Sequence, residues 1–304
     1  MTNDKLQILF NDELEAKYYW KSKREEDGII CKHCKSKSFR WHCGHSSWIC
    51  KKCKRSFTLR SGTVMEDSNL PFRIWLKAMH LMTITKKSIS ALEMQRQLGL
   101  KRYEPVLYMM HKLRIAMGKR DSKYELSGDV ELDDAFITVI RIDKDKNDPL
   151  KRGRGSQKKR SILVMVSKET IKTKKGKKVE VPRFVKLLAM DNLDETSVTE
   201  GVFDSVDTAN TDIKSDAYPS FRKLKDLVRS HKPKVTPPNK GHVYLKWVHC
   251  IIGNLKRITN GIHHHINDEN LQLYLNEFAY KFNRRNFDCR FDNILRASLA
   301  MTWG

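Results

Sequence analysis

The chain has 304 residues, of which 59 are Lys or Arg and 36 are Asp or Glu, a formal net charge of +23. That length allows one catalytic domain of ordinary size with smaller modules appended, and the surplus of cations favours a polyanionic partner, nucleic acid first, through counterion release. No apolar stretch approaches the roughly 18 residues of a membrane span, and the start MTNDKLQILF lacks a basic segment followed by an apolar run, so a cytoplasmic protein with no membrane partner is expected.

Residues 1–27 place Leu6, Leu9, Phe10 and Leu14 at helical spacing, with Gly28 closing the segment, and predict an N-terminal helix. Residues 28–65 carry Cys31-x-x-Cys34 and Cys50-x-x-Cys53. Two tight turns of that kind present paired sulfurs to one ion, the pattern of a closed tetrahedral zinc site. In a reducing compartment such pairs favour metal over disulfides. A structural Zn2+ in a small ribbon is therefore expected, with His33, His42, Cys43 and His45 as surface or packing residues.

From 70 to 120 the pattern is helical: FRIWLKAMHLM, then SISALEMQRQLGL, then YEPVLYMMHKLRIAM, with Ser88 as an N-cap and Gly99 as a break. The last two pieces resemble a helix-turn-helix, and the charge makes DNA contact by this module a reading beside plain helix packing.

Residues 125–290 change character. Strand-like runs at DVELDDAFITVI, SILVMVSKE, VPRFVKLLAMD and TDIKSD, with helical pieces near 195–206 and 218–230, predict a mixed sheet in an α/β domain. Between the first two strands lies a basic segment with Arg152, Arg154, Lys158, Lys159 and Arg160. It suits either a solvated hairpin tip or a phosphate-tracking loop. HKPKVTPPNKG at 231–241 reads as a turn or loop, followed by the helices LKWVHCIIGNLKRI and NDENLQLYLNEFAYKFNRR on either side of TNGIHHHI.

Asp133 lies in DVELDDAFI and Asp216 ends DIKSD. On adjacent strands two such carboxylates would point into one crevice, as hard cations require. Carboxylates of this kind can hold two Mg2+ ions about 4 Å apart, activating both the attacking and the leaving oxygen. Taken singly, each is an Asp at a strand end, where a cap or turn role is more frequent. In the first late helix His249, Gly253 and Lys256 share a face opposite Leu245, Val248, Ile251, Ile252 and Leu255. An imidazole there can ligate a divalent metal, and an ammonium can hold a phosphate. Adjacent residues share no face, so His263, His264 and His265 read as DNA contacts or packing. Leu271, Leu275, Phe278 and Phe282 form a core stripe, leaving Arg284 and Arg285 as exposed basic candidates.

Together these stretches resemble prokaryotic insertion-sequence transposases with an N-terminal zinc ribbon and an RNase H-like DDE-type core, the group related to eukaryotic Merlin elements. The resemblance runs over roughly residues 20–290 and is most specific in WVHCIIGNLKRITNGIHHHINDENLQLYLNEFAYKFNRR, with DVELDDAFI and SDAYPSF upstream in the expected order. It implies an α/β mixed-sheet catalytic core in which Asp133 and Asp216 are the first and second carboxylates, with Asp134 a neighbouring candidate. Where many relatives have a third glutamate this chain has His249, and Lys256 follows seven residues later with Arg257 beside it as DNA-binding residues. Asn254 is an alternative third ligand, though five residues along the helix it faces elsewhere.

The activity so implied is two-metal-ion cleavage and strand transfer with Mg2+ or Mn2+. The partners implied are double-stranded DNA, as terminal inverted repeats and target, and further copies of the chain in a synaptic complex at the nucleoid. A DNA-binding regulator with an inactive core and a metal-dependent nuclease without strand transfer are the competing readings.

Overall fold

The computed structural model describes residues 3–140, 156, 158–173, 175–235, 241–264 and 266–299. They group into two compact units, residues 1–85 with 89–120 and 287–304, and residues 86–88 with 121–286. Among the described residues no helix is long and apolar enough to cross a membrane.

In the first unit the single helix expected over 1–27 is two, α1 (Asn3–Asn11) and α2 (Glu13–Glu26). Asp12 causes the break: its extended backbone and side-chain oxygen cap the second helix, accepting from Leu14 N at 2.7 Å and Glu15 N at 3.1 Å. Helix α2 buries Ala16 and Trp20, and the Trp20 indole donates to Leu59 O at 3.0 Å. Strands β1 (Phe39–His42), β2 (Ser47–Cys50) and β3 (Ser56–Thr58) form an antiparallel ribbon in that order. Trp41 pairs with Trp48 across β1 and β2, ring centroids 5.0 Å apart.

Helices α3 (Phe72–Ile84), α4 (Ala91–Leu98), α5 (Glu104–Asp121) and α11 (Arg290–Leu299) complete this unit. The cap of α4 is Ser90, whose side chain accepts from Glu93 N at 3.1 Å, and not Ser88. Gly99, at φ +67°, ends the same helix in the left-handed conformation that glycine adopts without steric cost. Trp75, Met79, Met82, Met94, Met109 and Met110 are buried in this unit, thioethers filling irregular gaps between short helices.

His111 on α5 is held down to about 4, first by burial and then by the Arg114 cation. An unfolded histidine titrates near 6.5, so below that value the unfolded chain takes up a proton that the folded chain refuses. Stability is expected to fall as pH drops from 6.5 toward 4 and to level off beneath. Melting curves across that window should decline more steeply for the natural chain than for His111→Gln, and equal slopes would exclude the linkage.

The second unit is built on strands β4 (Leu126–Thr138), β5 (Lys159–Lys172), β6 (Lys178–Met190), β7 (Val206–Asp216) and β8 (Ser230–Lys234). Their order is β6-β5-β4-β7-β8. β5 runs antiparallel to both β4 and β6, while β7 is parallel to β4 and β8 parallel to β7. This is the mixed sheet of an α/β domain that the sequence predicts.

β5 reads as an uninterrupted apolar run because both its faces are covered. Ile162, Val164 and Val166 pack under α9 (Lys246–Ile262) and α10 (Leu271–Asn283). Leu163 and Met165 pack with α6 (Glu195–Phe203) and α7 (Leu224–Leu227) on the other face. The short helix α8 (Gly241–Tyr244) precedes α9.

Two expectations change here. The helix expected over 218–230 is a 3-10 turn at Pro219–Phe221 and the single turn α7. The HKPK segment, read as turn or loop, supplies β8; as the last strand of the sheet it can carry Pro233 without breaking a central ladder.

Candidate active site

The parallel ladder of β4 and β7 pairs Val130 with Ile213 and Glu131 with Lys214. Two residues further along each strand stand Asp133 and Asp216. Side chains alternate across a sheet. Val130 and Ile213 belong to the core beneath α6 and α7, so Glu131, Asp133, Lys214 and Asp216 share the opposite face, toward α9. Glu131 bears this out by accepting from the backbone of α9, at Trp247 N and Val248 N.

Helix α9 buries Val248, Ile251, Ile252, Leu255 and Thr259 and turns His249 and Lys256 to the open side. His249 Nε2 lies 3.8 Å from Asp133 Oδ2, the histidine side chain 39% exposed and the aspartate 12%. Both line an open cleft of about 410 Å³ together with Asp134, Phe136, Lys159 and Lys256. The Asp133 carboxylate, the His249 imidazole and the Lys159 and Lys256 ammonium groups thus meet one space, with Asp134 in its lining. The carboxylate and imidazole are donors suited to a divalent cation of the Mg2+ or Mn2+ type, and the lysines suit a phosphate.

Asp216 sits outside the residues lining the cleft, at the end of β7 on the same face. Its Oδ1 accepts from Tyr218 N at 3.2 Å. The neighbouring Ser215 hydroxyl donates to Asp216 O at 2.6 Å and meets His231 Nε2 at 2.8 Å. Burial lowers the pKa of His231 and so favours its neutral ring.

Other sequence candidates are placed elsewhere. Asn254 Nδ2 points at Cys250 Sγ, 3.8 Å away, and its Oδ1 is 3.5 Å from Arg257 Nη1, so the helix does not bring Asn254 to the cleft. Lys158, Lys159, Lys256 and Arg257 are exposed. Arg160 bridges Asp268, at 3.2 Å, and Asp191, which ties the start of β5 to flanking turns.

Arg284, expected on the surface, is 4% exposed, 2.6 Å from Asp121 Oδ1 and 3.7 Å above the Tyr280 ring. Arg285 donates to Arg183 O at 2.9 Å and also to Pro182 O. The reason for both corrections is that α10 ends at Asn283, so the chain turns and carries the two guanidinium groups to protein acceptors. His263 packs on Tyr274 at 4.7 Å and meets Ser88 Oγ at 2.8 Å. Arg152, Arg154 and His265 lie outside the described residues.

Sequence reading missed Glu131 and Phe136. Their signal is the polar–apolar alternation of DVELDDAFI, which fixes the face a residue occupies but not what it meets there.

In the first unit Cys31, Cys34, Cys50 and Cys53 bring their sulfurs within 4.8 Å of one another. Cys31 and Cys53 are 3.6 Å apart, and Cys34 and Cys50 3.5 Å. Tetrahedral coordination with Zn–S near 2.3 Å puts sulfurs about 3.8 Å apart, so the four thiols fit zinc. Each turn repeats one backbone device. Lys35 N donates to Cys31 O and Lys54 N to Cys50 O, both at 2.9 Å, with the two lysines at φ +55° and +63°. The backbone N–H groups of Cys53 and Lys52 favour the Cys50 thiolate, whose pKa falls to about 6.

Residues 125–283 match the family model described as the ISXO2-like transposase domain. Over 152 residues the chain is 24% identical to an uncharacterized protein in transposable element ISH50 of Halobacterium salinarum, a match covering 47% of this chain and 50% of that protein. The chain thus spans about half the length of that curated relative. Similar solved structures include the Mos1 strand transfer complex, with TM-score 0.27 and 12% identity over 75% of this chain and 78% of that one. The Mos1 transposase paired-end complex with left transposon end has TM-score 0.24 and 12% identity over 75% and 79%.

Proposed function

This chain belongs to the ISXO2-like transposase domain family, and on that premise we propose that it is a DDE-type transposase with a variant third ligand. It binds the terminal inverted repeats of an insertion sequence, cleaves the DNA strand there and transfers the freed end to target DNA. The observation that carries this reading is the 3.8 Å approach of the Asp133 carboxylate to the His249 imidazole in a cleft flanked by Lys159 and Lys256. Asp216 stands two residues beyond the ladder on the neighbouring strand.

Asp133, Asp216 and His249 would hold the divalent cations, which when bound polarise the phosphodiester and lower the pKa of attacking water. Lys159 and Lys256 offset phosphate charge and hold the scissile strand. In the first reaction a water oxygen bonds to phosphorus, the bridging P–O bond breaks, and the departing oxygen takes up a proton as a hydroxyl. In the second that hydroxyl attacks a target phosphodiester, so that one P–O bond is exchanged for another without a covalent link to the protein.

The ribbon and the helical module of residues 70–120 would position DNA for the core at residues 125–290. Pairing of two DNA ends calls for at least two copies of the chain. The net charge of +23 supports work at the nucleoid.

The test is one reaction containing labelled terminal-repeat DNA, target plasmid and a divalent metal. Joined product identifies a transposase, cut product alone a nuclease, and a mobility shift without cutting a regulator.

A neutral imidazole in the place of a carboxylate removes one negative charge from the ligand set and adds a nitrogen, which Mn2+ tolerates better than Mg2+. Cleavage by the natural chain is accordingly expected to be faster in Mn2+. His249→Glu should narrow the gap by raising the Mg2+ rate. Equal rates of the natural chain in the two metals count against His249 as the ligand.

A further inference from the structure

A helix leaves its first amides without an intrahelical acceptor, and a side chain at the N-cap ordinarily supplies one. Helix α9 begins after Leu245, which has no side-chain cap to give. Its acceptor comes from 116 residues earlier: Glu131 Oε2 takes the N–H of Trp247 at 2.8 Å and that of Val248 at 3.0 Å. Glu131 is 3% exposed. Its other oxygen lies 3.8 Å from Lys168 Nζ, a side chain 5% exposed that also reaches Glu180 at 3.4 Å.

The position of this clamp matters more than its energy. On β4, Glu131 is two residues before Asp133 and on the same face. On α9, Val248 immediately precedes His249. One carboxylate therefore joins the strand just below one cleft ligand to the helix just before the other. A buried ion pair alone would be weak evidence for any role beyond fold, and Lys168 already has Glu180. The feature that an ion pair does not require is the double acceptance by Oε2, which fixes the start of α9 in position and direction and is favoured there by the helix dipole.

We infer that Glu131 is a positioning residue that sets the Asp133–His249 separation, and with it the affinity of the cleft for a divalent cation. This rests on the cation reading of the cleft made above.

The experiment measures Mn2+ binding to the full chain by calorimetry, for the natural protein, Glu131→Ala, Glu131→Gln and Asp133→Ala. Glu131→Ala is expected to weaken binding about tenfold or more, the scale on which outer-shell partners of metal ligands act. Glu131→Gln keeps an oxygen for both N–H groups and should stay within about threefold, the surplus of a charge-assisted bond over a neutral one. Undiminished binding by Glu131→Ala, with binding lost in Asp133→Ala, overturns the inference and leaves the cation reading standing. Binding by Asp133→Ala equal to that of the natural chain removes the cation reading itself, and this inference with it. Loss in Glu131→Gln as deep as in Glu131→Ala overturns the acceptor role.

Should Glu131→Ala fail to fold, hydrogen exchange in the natural chain decides. Protection of the Trp247 and Val248 amides matching that of the β4 ladder supports the clamp. Exchange at the rate of unbonded first-turn amides overturns it.

Discussion

Asp133→Ala is expected to lower terminal-repeat cleavage and joining by about a thousandfold or more while leaving DNA binding intact. The Asp133 side chain is 12% exposed and faces His249 across 3.8 Å. The cations it would help to hold contribute several kcal/mol of transition-state charge stabilisation, and at about 1.4 kcal/mol per tenfold in rate, a loss of about 4 kcal/mol gives that factor. Binding should persist, even strengthen, because removing a negative charge beside a phosphate path lowers repulsion.

The fold should also survive. Asp133 lines the cleft together with Asp134, and like charges held together for chemistry weaken a fold, so the melting temperature should hold or rise. A time course on labelled DNA, a mobility shift and a thermal melt together check these outcomes. Unchanged cleavage in Asp133→Ala would exclude Asp133 from the chemistry and with it the cleft as the cutting site.

Cys50→Ser is expected to cost the ribbon its structure. The strands of that ribbon are three or four residues long and bury only Ser47, Trp48 and Cys50 of their own residues, too little for an independent core. Structural zinc supplies an apparent 10–16 kcal/mol in isolated zinc-finger peptides, roughly, and in such modules that is folding free energy. Loss of one thiolate should therefore remove the near-ultraviolet signal of the Trp41–Trp48 pair and drop zinc content well below one ion per chain. Chelation should reproduce both effects and added Zn2+ should reverse them. Cys43→Ser is the control: Cys43 is exposed and outside the cluster, so zinc content should not move. A natural chain purified without zinc and with the tryptophan signal intact would refute the assignment.

Much of the protein was legible in its sequence because the determining signals are local. The spacing CKHCK and CKKCK encodes two identical turns, and identical turns facing each other are enough to predict four converging sulfurs. Alternating and continuous apolar runs gave strands β4, β5, β6 and β7, since a residue's face follows from its place in the run. The amphipathic pattern around His249 and Lys256 likewise put both on one side of α9 before any tertiary contact was known.

Only the tertiary structure decided where those faces meet. The same polar, Pro-containing composition serves a loop or an edge strand, so β8 was visible only once β7 was in place to pair with it. Arg284 and Arg285 are indistinguishable from surface arginines until the end of α10 turns them onto Asp121 and the carbonyls of β6. Glu131 shows the division most clearly: its inward face is written in DVELDD, but its partner on α9 is 116 residues away. Composition and spacing therefore determined most of the element types and the four cysteines that converge. Strand order, helix crossing and the cleft depended on contacts distant in sequence, which no local period encodes.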